Sequence, residues 1–220
     1  MEKHVWVIIP AYNEERNVSK LIKETKKYCK NIVLVDDGST DKTFDIAKKK
    51  NIHVLKHIVN LGKGAAVITG SEFAIKKGAK ILVYMDADLQ HSPKEIPNFI
   101  HSIKGFDVVF GIRKLNKKMP LIPKFGNWFI SKSTKLLFGI DLKDTQCGYR
   151  ALKKEAYEKI KWKSTDYFME SEMIANLGKK HLRYKQIPIE TIYSDKYKGT
   201  TILDGIKIVI NLFCWRLKKL

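Results

Sequence analysis

The chain has 220 residues, enough for one α/β domain with a real core and no need of disulfide or metal staples. Apolar residues make up 44% and charged residues 30%, which excludes a disordered chain. Lys and Arg outnumber Asp and Glu by 42 to 23, and the resulting +19 points to an anionic partner: nucleotide, phosphate, nucleic acid or acidic membrane.

The longest run without a charge, His4–Asn13, has ten residues, whereas a bilayer span needs about 20. Met1–His4 leads straight into Val5–Ile9, so no signal peptide is expected. The three cysteines, Cys29, Cys147 and Cys214, lack zinc spacing and read as reduced cytosolic thiols.

In chain order, Val5–Ile9 is a continuous apolar run, the mark of a strand buried on both faces. Glu14–Tyr28 follows as a helix, with Val18, Leu21, Ile22 and Thr25 on one stripe and acids leading lysines. Ile32–Val35 is a strand. Asp36–Asp41 is a turn whose Ser39 or Thr40 is expected to cap a helix running to Lys50. His53–Lys56 reads as a strand, Gly62–Lys77 as a helix and Ile81–Met85 as a strand. Pro93 opens another helix and Val108–Phe110 is a fifth strand. This alternation predicts βαβ units and a mostly parallel sheet, whose ligands bind beyond the carboxyl ends of the strands.

After residue 110 the alternation stops. Seven basic residues and no acidic one lie between Asp107 and Asp141, interleaved with Phe125, Trp128, Phe129 and Ile130. Helices are expected over Lys153–Ile160 and Glu170–Lys180, a strand over Tyr184–Pro188, and a basic amphipathic helix over Ile202–Leu220. The division that results is a catalytic unit over 1–200, nucleotide-binding to 110 and acceptor-binding from 111, with 201–220 as its tail.

Three polar clusters sit at strand ends: Pro10–Glu14, Asp36–Asp41 and Asp86–Gln90. Asp86-Ala87-Asp88 places two carboxylates one residue apart, where they can hold a hard divalent ion such as Mg²⁺ or Mn²⁺, and Gln90 can add an amide oxygen. Asp36 and Asp37 can accept hydrogen bonds from a base or ribose, and Pro10–Glu14 offers an aromatic face and a carboxylate. Gly62-Lys63-Gly64 starts a helix whose amides can receive an anion. No dinucleotide or Walker fingerprint occurs, and no zinc-finger or RNA-binding signature supports nucleic acid as the partner.

The segments VIIPAYNEE (7–15), IVLVDDGSTD (32–41), NLGKGAA (60–66), VYMDADLQHSP (83–93) and DTQCGYRAL (144–152) together resemble the family 2 nucleotide-sugar glycosyltransferases of the GT-A fold. The polyprenyl-phosphate branch is the most similar, with DADLQHSP looking like the dolichyl-phosphate mannose synthases and DTQCGYR like the dolichyl-phosphate glucosyltransferases. The resemblance implies a Rossmann-like, mostly parallel sheet flanked by helices. It implies that Pro10, Tyr12, Glu14, Val35 and Asp37 hold the nucleotide, and that Asp86 and Asp88, with Ala87 and Gln90 beside them, form the metal and diphosphate site. Arg113 matches a residue that reaches phosphate. Arg150 and Glu172 match positions near the acceptor. Lys198, or Lys196, takes the place of a phosphate ligand in a closing loop.

The expected reaction is an inverting transfer of a hexose, from a GDP-mannose or UDP-glucose type of donor, to a polyprenyl phosphate. Asp88 would carry the metal and Arg113 would offset phosphate charge. A phosphate acceptor needs no protein base, whereas a hydroxyl acceptor would, with Glu172 as the candidate. A lipid substrate predicts contact with an anionic membrane surface at the cytoplasmic face, through Pro120–Gly139 and Ile202–Leu220.

Overall fold

The structure, a computed structural model, describes residues 3–113, 121–166, 168–192 and 202–217, with only the backbone for 121–127 and 202–205. Among the described residues seven strands form one sheet: β1 (Val5–Ala11), β2 (Ile32–Asp36), β3 (His53–Lys56), β4 (Ile81–Tyr84), β5 (Val108–Arg113), β6 (Arg150–Lys153) and β7 (Tyr184–Ile189). Their order is β3-β2-β1-β4-β6-β5-β7. Every pairing is parallel except those of β6, which runs antiparallel to both β4 and β5.

The apolar run of β1 is buried on both faces, as its composition requires. Val5, Val7 and Ile9 join one core cluster with Leu21, Ile22 and Phe99. Trp6 and Ile8 join the other with Val67, Tyr157 and Trp162. The helices that cover these faces are α1 (Val18–Thr25), α2 (Thr43–Lys48), α3 (Lys63–Lys76), α4 (Ile96–Ser102), α5 (Leu121–Phe138), α6 (Lys154–Ile160), α7 (Met169–Lys179) and α8 (Ile202–Leu217). The stripe read in α1, Val18, Leu21, Ile22 and Thr25, is its buried face. The mostly parallel sheet flanked by helices is the fold that the sequence implied.

Several boundaries differ from the sequence reading. Glu14–Asn17 forms a turn before α1, with the Glu14 carbonyl accepting from Asn17 N and Val18 N. Ser39 and Thr40 do not cap α2. Ser39 Oγ accepts from Asn13 N, Thr40 N donates to Asn13 Oδ1, and Asp41 Oδ1 accepts from Thr43 N at 2.9 Å. Pro93 opens a short 3₁₀ turn, Pro93–Glu95, before α4. The strand β6 was not expected. It inserts between β4 and β5, so residues 1–110 and 111–200 build one common sheet.

α5, α7 and α8 meet in a third cluster of Ile130, Ala175, Ile208 and Leu212. Their opposite faces expose Trp128, Phe129 and Leu136 on α5 and Ile206, Ile210, Phe213 and Leu217 on α8. Among the described residues, no helix is long and apolar enough to cross a membrane.

Candidate active site

Because β1, β2 and β4 are parallel neighbours, their carboxyl ends share one edge of the sheet. Ala11 lies opposite Asp36 in the β1–β2 ladder, and Ile8 opposite Tyr84 in the β1–β4 ladder. The three polar clusters expected at strand ends are thus brought together.

On the nucleotide side, Pro10 is buried in β1, Tyr12 is half exposed, and Glu14 Oε2 accepts from Asn17 Nδ2 at 2.6 Å. Val35 is core: its side chain packs beneath α3 against Gly70. Asp37 is committed to its own loop. Its carboxylate accepts from Leu61 N at 3.0 Å and Gly62 N at 2.8 Å, and faces His57 Nδ1 at 2.7 Å. His57 Nε2 in turn lies 3.0 Å from Thr69 Oγ1. Asp37 therefore fixes the 57–62 loop, and any contact with a nucleotide is additional to that task.

The Asp86-Ala87-Asp88 turn leaves β4 beside the site. Asp88 Oδ1 accepts from Gln90 N at 3.0 Å, and Leu89 between them has φ +63°. A left-handed leucine costs about 1–2 kcal/mol, a strain that the surrounding turn imposes. Burial, reinforced by the charge of Asp86, pushes the Asp88 carboxyl above its usual range. Burial pulls Asp86 the same way, but Lys63, with His91 and Arg113 behind it, holds this carboxyl below its usual range.

Lys63 Nζ lies 2.6 Å from Asp86 Oδ1 and 2.9 Å from Glu170 Oε1. Burial opposes its charge, yet the two carboxylates prevail and raise its pKa above the usual lysine value. Glu170 Oε2 is sealed from solvent with no hydrogen-bond partner among the described residues. A Cβ at Gly148 would stand 2.7 Å from both Asp86 Oδ2 and Lys63 Nζ, so a larger residue there would displace this pair.

Gly62 and Gly64 flank Lys63 for a similar reason. Gly62 has φ +95°, and a Cβ on either residue would strike the 164–165 backbone. That backbone is held by Glu172, which accepts from Lys163 N at 3.1 Å, and from Ser164 N at 2.9 Å and Ser164 Oγ at 2.6 Å. Glu172 thus clamps this loop, a task the sequence did not reveal. It acts on the site through the loop against which Gly62-Lys63-Gly64 packs.

Arg113, at the end of β5, is paired with Asp144 through two bonds, Nε to Oδ2 at 2.7 Å and Nη2 to Oδ1 at 3.0 Å. Its charge reaches Asp86 and His91. Arg150 is fully buried. It donates to the carbonyls of Thr145, Cys147 and Glu170 and lies 5.1 Å from the Phe110 ring, so it braces the 145–147 turn from below.

His91 does not meet solvent. It packs on Tyr149 at 5.1 Å, and burial, with Lys63 and Arg113 nearby, lowers its pKa to about 4, so it is neutral near pH 7. Lys196 and Lys198 lie outside the described residues. The chain leading to them is pinned here, since Ile192 N donates to Gln90 O at 3.0 Å and Thr191 bridges His91.

Lys63, Glu170 and Asp144 were not singled out from the sequence. Lys63 carried a readable signal, a cation at the first position of a helix, where the dipole disfavours it. Asp144 carried none beyond lying inside the 144–152 segment, and Glu170 none beyond standing two residues before Glu172.

The donor set at the β4 turn is all carboxylate and amide oxygen, as a hard divalent ion requires. Among the described residues no three His, Cys, Asp or Glu side chains converge as metal ligands.

With this geometry in view, the likeness to known proteins is informative. Over 99% of its length the chain is 35% identical to UDP-N-acetylglucosamine–dolichyl-phosphate N-acetylglucosaminyltransferase of Methanococcus voltae, covering 98% of that protein. It is 30% identical, over 96% of its length, to the dolichol-phosphate mannosyltransferase of Pyrococcus furiosus, of which it covers 64%. The fold matches glucosyl-3-phosphoglycerate synthase from Mycobacterium tuberculosis, in complex with Mn²⁺, uridine diphosphate and phosphoglyceric acid. The TM-score is 0.76, over 98% of this chain and 79% of that one, at 16% identity. The sequence model of glycosyl transferase family 2 matches residues 6–161, and the chain belongs to that family.

Proposed function

We propose that this chain moves a sugar from a nucleotide-diphosphate donor to a polyprenyl phosphate, with inversion, at a membrane surface. The observation that carries the reading is the convergence of the Asp86–Asp88 carboxylates with the Lys63 and Arg113 cations at one sheet edge, in a chain 35% identical along nearly its whole length to a dolichyl-phosphate glycosyltransferase. Pro10, Tyr12, Glu14 and the 35–37 edge would bound the nucleotide. Asp86 and Asp88, with Gln90 beside them, would hold Mg²⁺ or Mn²⁺. Such an ion, when bound, supplies Lewis-acid charge to the departing diphosphate.

The remaining work falls to fixed charges. Asp144 locks the Arg113 guanidinium in a two-bond geometry, so its charge is in place before phosphate arrives. An acceptor phosphate is already anionic near pH 7, and alignment then supplies much of the rate. The engagement of Glu172 with Lys163 and Ser164 is in keeping with a scheme that uses no base there.

The exposed stripe of α8, Ile206, Ile210, Phe213 and Leu217, recurs at helical spacing. Lys207 and Arg216 flank it, and Trp128, Phe129, Lys132 and Lys135 are exposed on the adjoining α5. A basic amphipathic face of this kind suits an anionic lipid surface, where a lipid phosphate would be met.

A second reading is favoured by one observation, the unpartnered Glu170 Oε2. If the acceptor is a hydroxyl, Glu170 joins Glu172 as a candidate to take its proton.

The test is a transfer assay with labelled GDP-mannose, UDP-glucose, UDP-galactose and UDP-N-acetylglucosamine, polyprenyl phosphate in detergent, and Mn²⁺ present or withheld. Metal-dependent label in the lipid phase from one donor, abolished by Asp88→Asn, is expected. Label reaching saccharide but never lipid phosphate would overturn the acceptor assignment in favour of the second reading.

A further inference from the structure

Lys63 breaks a local rule in a costly place. It is the first residue of α3, the end of a helix that favours anions. Glycines on either side press it against the 164–165 backbone, and Gly148 crosses above it. Its side chain is only 23% exposed, with the ammonium between Asp86 Oδ1 and Glu170 Oε1.

Two carboxylate oxygens aimed at one cationic centre from different elements make a built cation site. A divalent ion would take such oxygens at about 2.0–2.6 Å. Here the position is filled by the protein's own ammonium, and Glu170 Oε2 remains buried without a partner among the described residues.

The inference rests on the reading above, that Asp86 and Asp88 hold a divalent ion together with the donor diphosphate. We propose that Lys63 is a positioning residue, an internal counter-cation that neutralises Asp86 in the ligand-free protein and so makes metal binding depend on the nucleotide. Without the diphosphate, a metal ion must compete with a fixed positive charge for the same carboxylate. With it, the added phosphate charge lets ammonium and metal share the site, so ion and nucleotide enter as a unit. Glu170 anchors the far side of the ammonium. Glu172 sets its position through the 163–165 loop.

The experiment is Mn²⁺ binding to the purified full chain, read by the paramagnetic resonance of free Mn²⁺, alone and with UDP or GDP. Wild type is expected to bind Mn²⁺ weakly alone and at least about tenfold more tightly with nucleotide. Lys63→Met is expected to bind Mn²⁺ alone about tenfold more tightly than wild type, because Asp86, Asp88 and Glu170 lose their nearest positive charge. Adding Glu170→Gln to that variant should remove most of the gain. Lys30→Met, the same charge change at the opposite edge of the sheet, should produce none.

Lys63→Gln guards against poor folding of the methionine variant and should show the same gain. Glu170→Gln alone should weaken binding of Mn²⁺ without nucleotide. Equal or weaker Mn²⁺ binding by folded Lys63 variants overturns the inference, as does an equal gain in Lys30→Met. If neither Lys63 variant folds, unchanged or tighter Mn²⁺ binding by Glu170→Gln overturns it. Tight Mn²⁺ binding by wild type without nucleotide overturns the inference while leaving the metal-site reading intact. No Mn²⁺ binding by wild type even with UDP and GDP overturns that reading, and the inference with it.

Discussion

At Gly148 a single methyl group is enough to test the site. The backbone there passes so close to Asp86 and Lys63 that a Cβ would sit 2.7 Å from each. Both atoms are side-chain ends and can move, so the global fold should tolerate Gly148→Ala. The ion pair cannot move without leaving its geometry. The expected result is a melting temperature within a few degrees of wild type, with Mn²⁺–nucleotide affinity falling by about tenfold or more. Titration calorimetry and a thermal melt measure the two effects. The cysteines give an independent check of burial. Burial raises Cys29 above its usual value, and burial together with Asp144 pushes Cys147 up to about 12. Only thiolates react readily, so at pH 8 both buried thiols remain protonated and shielded. Exposed Cys214 should be the one rapidly modified thiol of the native chain, with the other two reacting only on denaturation.

At the scale of elements, α8 carries two faces with opposite duties. Leu212 is fully buried against α5 and α7, and Leu212→Ala should cost about 2–5 kcal/mol of stability. Ile210 and Phe213 are half exposed on the outer face. Replacing both with Ser should leave stability within about 1 kcal/mol, yet reduce co-sedimentation with anionic vesicles. Unchanged pelleting of that variant would remove the outer face from membrane contact. Elements also show what could be read beforehand. The strands β1, β2 and β4 were legible because continuous apolar runs of four or more residues ask for burial on both faces, whereas β3 and β5, with apolar runs of two and three residues, were legible through the strand–helix alternation around them. The strand β6 was not, because Arg150–Lys153 is short, begins with a charge and follows a glycine turn. Its place depends on the gap between β4 and β5, which no local pattern encodes. The same holds in the site. The position of Asp86 and Asp88 at a strand end was legible, whereas the hydrogen bonds of Glu172 and Arg150 depend on which loop or carbonyl lies opposite after folding.

For the whole molecule, the excess of positive charge has a measurable consequence. A net charge of +19 attracts anionic lipid over roughly a Debye length, about 10 Å at 0.1 M salt. Association with anionic vesicles should therefore weaken steeply between low and physiological salt, leaving the apolar contribution of α5 and α8 behind. Binding that does not respond to salt, or that is equal on neutral vesicles, would show that charge has no part in it.

The placement of β6 also bears on how the chain is made. Strands β1 to β4 leave a ribosome first, yet the second neighbour of β4 in the finished sheet, β6, is not synthesised until residues 150–153. During that interval the β4 edge has backbone donors and acceptors with no partner from the nascent chain, the kind of edge that recruits other strands. β5, already made, must wait as well, because its place is beyond β6. Completion of the central sheet is therefore a late event joining distant parts of the sequence, and such closures are slow. A fragment ending at Arg113 should consequently aggregate rather than fold as a free-standing nucleotide-binding unit, as size-exclusion chromatography would reveal. Restoring the chain through β7 should rescue it.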